Sequence, residues 1–334
     1  MGLKNVNEHK NINEEFRQFK GLSFTSELFA EIKVLQEKNN WYNFFSLLLD
    51  WILIITAIAI SEFSGNFIIY LISIIIIGGR MRGLDNLMHE ASHKLLFKNY
   101  FLNKWIASVF IALPVMTNFN SYCTSHNNHH KYLWTEQDPD TSELKKLGLG
   151  RSTITTKTFV LKYILGSFLI KHIIKNIKDC FIRLFSKDQQ SNIEYAIKLS
   201  VWFAILFIAV VFNFWTQLVL YWFIPLVTIF PIIRFWSDLA DHSGLEVSHP
   251  LYSSRNNYGT WIERLILTPH HDNYHIVHHL FPYIPHFNLK KAHIILLKHP
   301  DYAQASHCTG FFNSFLPGFK SVIEDVVKKM NNVN

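Results

Sequence analysis

Three short motifs rich in histidine are the part of this sequence best suited to chemistry. HEASH, HNNHH and HIVHH each place two or three imidazoles within five residues. A spacing of three or four residues puts side chains on one face of a helix, so each motif can offer its ring nitrogens to a common point. Neutral imidazole is the commonest metal ligand among side chains. The eight candidate ligands are His89, His93, His126, His129, His130, His275, His278 and His279.

The number of imidazoles bears on how many metal ions the site could hold. One HxxxH pair is weak evidence, because histidine pairs at this spacing are common in cores and on surfaces. HEASH also matches the HExxH pattern of zinc proteases, with Glu90 as general base, which keeps a membrane zinc hydrolase as an alternative. That alternative leaves the other two motifs without a role. A catalytic zinc takes about three protein ligands, so eight imidazoles favour two transition-metal ions, although imidazole suits zinc and copper as well as iron.

Four apolar runs predict the helices that position these motifs. About 20 helical residues cross the ~30 Å hydrocarbon core of a bilayer. The second run is short, and we expect Arg80 and Arg82 to extend it by reaching the interface. Asp50 lies inside the first run, where its charge requires that it face protein. The runs therefore predict two helical hairpins, built from residues 41–60 with 67–79 and from residues 196–212 with 215–233.

Two further segments are predicted to lie at the membrane surface. Residues 105–116 are about twelve apolar residues, or roughly 18 Å of helix, which is too short to cross. As a re-entrant or interfacial piece, this segment leaves the motifs on either side of it on one face of the membrane. Residues 157–185 place lysines opposite a stripe of isoleucines, which is typical of a helix lying in the interface. An amphipathic helix packed on a soluble core is the alternative.

The charge distribution predicts the orientation. The chain carries a net charge of +7, but only 17% of its residues are charged and 49% are hydrophobic. The basic residues flank the apolar runs, a pattern that fits anionic lipid and not nucleic acid. The proposed outer turns, residues 61–66 and 213–214, contain no Lys or Arg. The positive-inside rule therefore places residues 1–40, 80–104, 117–195 and 234–334 in the cytoplasm.

These observations predict an all-α fold: a four-span membrane helical bundle with interfacial helices and a cytosolic helical cap that holds a His-rich di-metal site. The bundle would sit in a bacterial inner membrane or the endoplasmic reticulum, with both termini cytoplasmic. The predicted organisation is a polar cytosolic N-terminal segment over residues 1–40, a membrane domain over residues 41–300, and a cytosolic C-terminal tail over residues 301–334.

The three motifs, in this order and within NYHIVHHLFP for the third, resemble the histidine boxes of the membrane fatty acid desaturase and hydroxylase superfamily. The similarity continues through HHKYLWTEQDPD and FPYIPHFNLKKAH and covers roughly residues 45–300. It implies a cytosolic di-iron centre with two Fe²⁺ ions and O₂ as the oxidant. It also implies a lipid bilayer as the setting, an acyl chain as the substrate and a separate ferredoxin or cytochrome b5-type carrier as the electron donor.

The resemblance extends the set of site residues. It implies a ninth ligand, His242 in SDLADH, and a residue four positions earlier, Asp238, that contacts a metal through water. Metal-bound imidazole usually donates its other N–H to a carboxylate or carbonyl. The candidates for such outer contacts are Glu90, Asp138, Asp140 and Asn273, with Asp85 and Asp272 also available. The adjacent His270 and His271 do not fit the motif and are expected to be outer or surface groups. No ligand role falls to His293 or His307.

The leading functional interpretation is a desaturase that introduces a double bond into an acyl chain, either in a lipid or in an acyl thioester. The metal ligands themselves are the only catalytic groups expected. The first alternative is a di-iron hydroxylase or oxygenase of a lipid, a carotenoid or a specialised small molecule. A metal transporter would need ionisable residues inside several spans, whereas only Asp50 lies inside one.

Overall fold

A computed structural model describes residues 18–19, 22–247 and 249–332. Residues 1–17 and 20–21 of the predicted N-terminal segment lie outside the described residues. Strands β1 and β2 form a short antiparallel pair before the first helix. Helix α1 begins after Thr25, whose side chain accepts the backbone N–H of Leu28. These elements are β1 (Gln18–Phe19), β2 (Leu22–Ser23) and α1 (Ser26–Val34).

The first two apolar runs form one hairpin, α2 (Asn40–Ser64) and α3 (Phe67–Ser92). Gly65 turns the chain between them with φ +56°, a left-handed conformation that glycine adopts without strain. Helix α3 continues well beyond its apolar run, as expected from the position of HEASH. Its last part is buried, carries His89 and ends at His93.

Arg80 and Arg82 lie in this buried part of α3, with 3% and 6% of their surface exposed. Arg80 donates to Asp50 on α2 over 2.9 Å, and Arg82 donates to Asp85 over 2.6 Å and to Asp272 over 2.9 Å. The expectation that these arginines reach the interface is therefore wrong. Carboxylates from three elements compensate their charges, which is the condition for burying a guanidinium. Asp50 faces protein, as its position required.

Five helices follow on the chain between the two hairpins. Helix α4 is a short apolar helix, as predicted, and its second half is a π-helix over Ala107–Ala112. The prediction of one helix over residues 157–185 is wrong, because the extended backbone of Leu169 (φ −65°, ψ 137°) breaks it into α7 and α8. The five are α4 (Tyr100–Ala112), α5 (Phe119–Tyr132), α6 (Pro139–Leu147), α7 (residues 156–168) and α8 (Ile170–Phe185).

The second hairpin joins α9 (Asn192–Val211) to α10 (Trp215–His242). Ser191 and Glu194 form a reciprocal capping box at the start of α9. Helix α10 contains a π-helical turn over Val219–Phe223 and ends at His242. With α2 and α3, these are four helices long and apolar enough to cross a membrane, which confirms the four-span helical bundle.

The remaining chain forms a cap of short helices at the ends of α3 and α10. Strand β3 pairs in parallel with β4 and also bridges to Tyr274, which ties the third motif to the C-terminal region. The domain boundaries at residues 40 and 300 stay a prediction. The elements of the cap are β3 (Asn256–Asn257), α11 (Trp261–Ile266), a 3-10 turn (Pro269–His271), α12 (His275–Leu280), α13 (His286–Leu296), α14 (Pro300–Ala303), β4 (His307–Cys308) and α15 (Val322–Asn331).

Candidate metal centre

Four elements bring the histidine motifs to one place beneath the cap. HEASH ends α3, HNNHH lies on α5, HIVHH lies on α12, and His242 is the last residue of α10. Among the described residues the ring nitrogens converge in two adjacent groups. The two rings of HEASH share one group, as expected, whereas HNNHH and HIVHH each divide their rings between the two groups.

The first nitrogen group contains five rings whose ligand atoms all lie within 4.8 Å of one another. The Nε2 atoms of His89 and His278 are 2.8 Å apart, as are those of His130 and His278. His93 and His126 also face each other through Nε2 atoms 2.8 Å apart. The members of this group are His89, His93, His126, His130 and His278.

The second nitrogen group contains His129, His242, His275 and His279, all of them buried. The ligand atoms of three of them lie within 4.8 Å of one another. Nε2 of His275 lies 2.9 Å from Nε2 of His242 and 3.1 Å from Nε2 of His279. The rings of His130 and His279 are centred 4.6 Å apart, so the two groups adjoin. All nine histidines proposed as ligands therefore lie in one or other group.

Hydrogen bonds from outside the second nitrogen group orient two of its imidazole rings. Nδ1 of His129 donates to Asp138 over 3.0 Å, and Nδ1 of His242 donates to the carbonyl of Ser253 over 2.8 Å. Asp140 is 3.3 Å from the same Nδ1 of His129. Because these oxygens can only accept, the proton sits on Nδ1 and the lone pair of Nε2 points into the group.

The second group fits a cation better than it fits hydrogen bonding alone. A neutral imidazole carries one proton, and His129 and His242 use theirs on oxygen acceptors. Their Nε2 lone pairs then meet other ring nitrogens at 2.9–3.4 Å. Nδ1 of His275 is buried with no hydrogen-bond partner among the described residues, and its nearest carboxylate is Asp241 at 3.9 Å. A bound cation removes the repulsion between facing lone pairs, and nine imidazoles suit two transition-metal ions.

Burial keeps most of these rings in the form that binds metal. Burial and neighbouring imidazoles hold the pKa of His126, His278 and His279 well below the usual range, so these rings are neutral. Burial also lowers the pKa of His129, but the hydrogen bond to Asp138 and the negative charges of Asp138, Asp140 and Asp238 together outweigh burial and leave that pKa raised. Burial raises the pKa of Asp138, yet the hydrogen bonds it accepts from His129, Thr141 and a backbone N–H bring that pKa down to about 2.

The other predicted outer residues have different surroundings. Asp138, besides its bond to His129, caps α6. Asp238 is half-exposed, 3.9 Å from Arg82. Glu90 is buried and accepts the backbone N–H of His286 over 3.1 Å. The backbone carbonyl of Asn273 accepts the N–H of Asn257, whereas its side-chain oxygen is buried without a partner among the described residues.

The sequence did not reveal two contacts of the histidines in this region. The carbonyl of Ser253, which accepts from His242, could not be predicted, because every residue has a backbone carbonyl. His270, expected to be an outer or surface group, is 2.7 Å from the carboxylate of Asp50. A carboxylate inside an apolar run requires a partner, and that requirement was the available signal.

A cleft of about 190 Å³ reaches both nitrogen groups. Its wall carries charges of both signs on Arg82, Arg234, Asp140, Glu143 and Asp238. Nε of Arg234 lies 3.6 Å from Asp85 and 3.8 Å from Asp238. Its two terminal nitrogens make no hydrogen bond to any described residue. The cleft is therefore able to hold a charged or strongly polar group next to the candidate ligands.

A second, apolar cavity of about 390 Å³ lies between α8, α9 and α10. Its lining includes Met116, Trp202 and Phe223 and is almost free of polar surface. Met116 lies three residues before the start of α5, the helix that carries HNNHH. The cavity has the character of a site for a hydrocarbon chain.

Comparison with known proteins gives consistent matches. Residues 65–309 match the family model described as fatty acid desaturase. The chain is 30% identical over 288 residues to the dihydrorhizobitoxine desaturase of Bradyrhizobium elkanii, an alignment that covers 83% of this chain and 82% of the relative. It is 25% identical over 247 residues to the sn-1 oleoyl-lipid 12-desaturase of Anabaena variabilis, with 65% of each chain covered.

Proposed function

We propose, from the premise that the chain belongs to the fatty acid desaturase family, that it is a di-iron, O₂-dependent membrane desaturase that introduces a double bond into an acyl chain. Its family and its relatives make it an oxidoreductase of the desaturase type. The acyl substrate, the identity of the metal as iron and the source of electrons are the proposed part. The substrate is an acyl lipid or an acyl thioester.

The observation that carries the proposal is the convergence of nine imidazoles in two adjoining groups beside one cleft. Two irons, when bound, supply the activation of O₂ that removing hydrogen from an unactivated methylene requires. The chain's own residues hold the ions, and Asp138 and the carbonyl of Ser253 orient two of the rings. The proposed ligands are His89, His93, His126, His130 and His278 for one ion and His129, His242, His275 and His279 for the other. Asp238, half-exposed in the cleft, is the proposed contact through water.

The net reaction of a desaturase requires electrons that a partner protein must supply. A –CH₂–CH₂– unit, O₂, two electrons and two protons give –CH=CH– and two waters. The electrons come from a separate ferredoxin or cytochrome b5-type carrier that docks on the cytoplasmic cap. The positive-inside rule supports this orientation, with both termini cytoplasmic in a bacterial inner membrane or the endoplasmic reticulum. The apolar cavity between α8, α9 and α10 supports an acyl chain as the substrate.

The charged wall of the cleft favours a second candidate, the oxidation of a small polar molecule. Hydrocarbon placed against Arg234 and Asp238 would desolvate both charges without replacing their hydrogen bonds. A substrate with a charged group near the reacting carbon would instead bind them. Only one of the two relatives is named for a lipid. Hydroxylation remains the alternative outcome at the same centre, because placement of the reacting carbon decides between the two products.

The test compares cells that express the wild-type protein with cells that express His89→Ala. Lipid extracts and water-soluble extracts are both profiled by mass spectrometry. We expect lipids that have lost two hydrogens only in cells with the wild-type protein. The same loss in the soluble extract supports the polar substrate, and a gain of one oxygen supports hydroxylation. Identical profiles in both cell lines, under several growth conditions and with a supplied electron carrier, would contradict the proposal.

Metal analysis of the purified protein tests the centre without needing the substrate. We expect about two irons per chain, since nine imidazoles exceed what one ion takes. A single tightly held zinc, with hydrolytic activity that needs no O₂, would support the zinc hydrolase instead.

A further inference from the structure

A segment without charge in the predicted cytosolic tail exposes large apolar side chains. Residues 309–319, TGFFNSFLPGF, contain no Lys, Arg, Asp or Glu. Phe312, Phe315, Leu316 and Phe319 are 44–48% exposed. Loops that face water are usually polar, and contiguous apolar surface outside a protein core marks an interaction site. This segment lies almost wholly beyond the part of the chain that matches the family model.

The backbone of this segment has a defined shape that presents the apolar side chains outward. Gly310 and Gly318 adopt left-handed conformations, with φ +76° and +83°. The N–H of Phe311 donates to Glu263 on α11 over 2.6 Å. Thr309 and Ser314 join their hydroxyls over 2.7 Å. Because several polar groups are paired locally, the outward surface is formed mainly by the phenylalanines and Leu316, with Asn313 also exposed.

The segment packs on the cytoplasmic end of the fourth membrane helix. The rings of Phe311 and Phe312 are centred 5.8 and 5.6 Å from the ring of Trp236 on α10. Trp236 also contacts Phe168 of α7 at 5.9 Å and donates its N–H to Ser167. The exposed apolar surface therefore adjoins the cap-side end of a candidate span.

Neighbouring residues extend the same surface. Trp261 and Ile262, at the start of α11, are 69% and 49% exposed. Lys157 and Lys162 are exposed on α7, and Lys320 directly follows the segment. An apolar patch with aromatic residues and flanking lysines is what the interface of a bilayer binds, because the rings enter the acyl boundary while the ammonium groups meet anionic headgroups.

We propose that these residues form an apolar collar that inserts into the bilayer crossed by the four spans. The apolar collar comprises residues 309–319, Trp261, Ile262 and Phe168. Its occupant is phospholipid, because the collar adjoins the end of the candidate span α10 and has lysines beside its aromatic rings. The collar makes part of the predicted cytosolic tail a membrane element.

The collar is also tied to the metal centre. The helix that follows it, α15, carries Asp325, which accepts from buried Arg255 over 2.7 Å. Arg255 also donates to the carbonyls of Ala240 and Ser243, on either side of His242. Insertion of the collar therefore fixes the height of this end of the cap above the bilayer.

The experiment measures the depth of single spin labels on the full-length protein in nanodiscs of phosphatidylcholine and phosphatidylglycerol. One label replaces Phe315 of the collar. Phe207→Cys, exposed on α9, marks the bilayer, and Asp301→Cys, exposed on α14, marks water. Cys123→Ala serves as the common background, since the other two cysteines are buried. We expect the Phe315 label to collide several-fold more with dissolved oxygen, relative to a water-soluble nickel chelate, than the Asp301 label does.

A Phe315 label as open to the nickel chelate as the Asp301 label would overturn the proposal. A label shielded from both reagents would overturn it too, because a second copy or another protein would then cover the collar. Leu316→Cys is the second site if Phe315→Cys does not give a monodisperse protein. The experiment needs neither metal nor substrate, so it stands apart from the proposed desaturase activity.

Discussion

Two clusters of histidine, one beneath the cap and one within it, differ in what their ring nitrogens face. In the nitrogen groups of the candidate metal centre, Nε2 atoms face other Nε2 atoms at 2.8–3.4 Å. In a separate tyrosine–histidine cluster, the rings of His293 and His307 face oxygen. The members of this cluster are Asn256, Tyr258, His293, Tyr302 and His307.

Every proton of the tyrosine–histidine cluster has an acceptor. Nε2 of His307 donates to the carbonyl of Tyr302 over 2.7 Å, so Nδ1 of His307 accepts from the Tyr258 hydroxyl over 2.8 Å. Nε2 of His293 donates to Tyr258 over 3.1 Å, and Nδ1 of His293 accepts from the Tyr302 hydroxyl over 2.7 Å. Asn256 completes the chain by donating to Tyr302 over 2.8 Å.

The difference separates a candidate ligand from a structural histidine. Both clusters contain buried, neutral imidazoles, so burial and pKa alone do not distinguish them. The tyrosine–histidine cluster pairs its ring nitrogens mainly with oxygen, whereas ring nitrogens face other ring nitrogens in the nitrogen groups. Of the two, only the nitrogen groups have the all-imidazole composition that suits transition-metal ions.

The largest expected effect is at His278, whose Nε2 is 2.8 Å from two other rings. His278→Ala should reduce product formation to background, because the first nitrogen group loses its central ring. Metal content should fall by about half, since the second group keeps its own ligands. The measurements are product by mass spectrometry and metal per chain.

His293→Asn is the matched control, because His293 is an equally buried imidazole of the same cap. It should keep the metal and lose only stability. If His278→Ala kept full turnover, or if His293→Asn lost metal to the same extent, the distinction between the two clusters would be wrong.

Asp138 tests whether outer contacts matter to the second nitrogen group. Asp138→Asn should weaken metal binding by about 10–100-fold, because the amide no longer anchors His129 as a carboxylate does. Asp140→Asn should have a smaller effect, since Asp140 is half-exposed and farther from the ring. Metal retention against a chelator measures both variants, and equal retention by Asp138→Asn and wild type would count against the contact.

Tyr258 tests the other cluster. Tyr258→Phe removes a hydroxyl that serves both His293 and His307, and unsatisfied buried groups cost about 1–3 kcal/mol. We expect a lower Tm in detergent with unchanged metal content. Loss of metal from this variant would show that the tyrosine–histidine cluster supports the centre directly.

The smallest expected effect concerns His293 and the pH dependence of the stability of the fold. Burial and the neighbouring His307 lower the pKa of His293 to about 4. Between the ordinary pKa of about 6.5 and this value, the unfolded chain binds a proton that the folded chain does not, so stability falls as pH falls through this window.

Removal of His293 removes that contribution. His293→Asn should flatten the dependence of stability on pH between about 6.5 and 4 by up to ~1.4 kcal/mol per pH unit. Thermal unfolding in detergent across this range compares the variant with the wild type. Parallel curves for the two proteins would mean that His293 titrates normally in the fold.

The helical hairpins and the three motifs were predictable because their signals are local. An apolar run of spanning length predicts a membrane helix wherever it packs, and the i, i+3 and i, i+4 spacing of HEASH, HNNHH and HIVHH places their rings on one face. The break at Leu169 was less accessible, because helix ends depend on contacts that the run itself does not contain.

The sequence by itself determined the four helices, the class of the fold and the imidazoles that could bind metal. Only the tertiary structure decided which rings share a group and that the carbonyl of Ser253 accepts from His242. It also decided that Arg80 and Arg82 are buried in ion pairs, and that the Phe-rich segment of the tail lies against Trp236. The reason is physical. Periodicity and spacing act within a few turns of one helix, whereas the partner of a buried charge or lone pair comes from whichever distant segment packing places beside it.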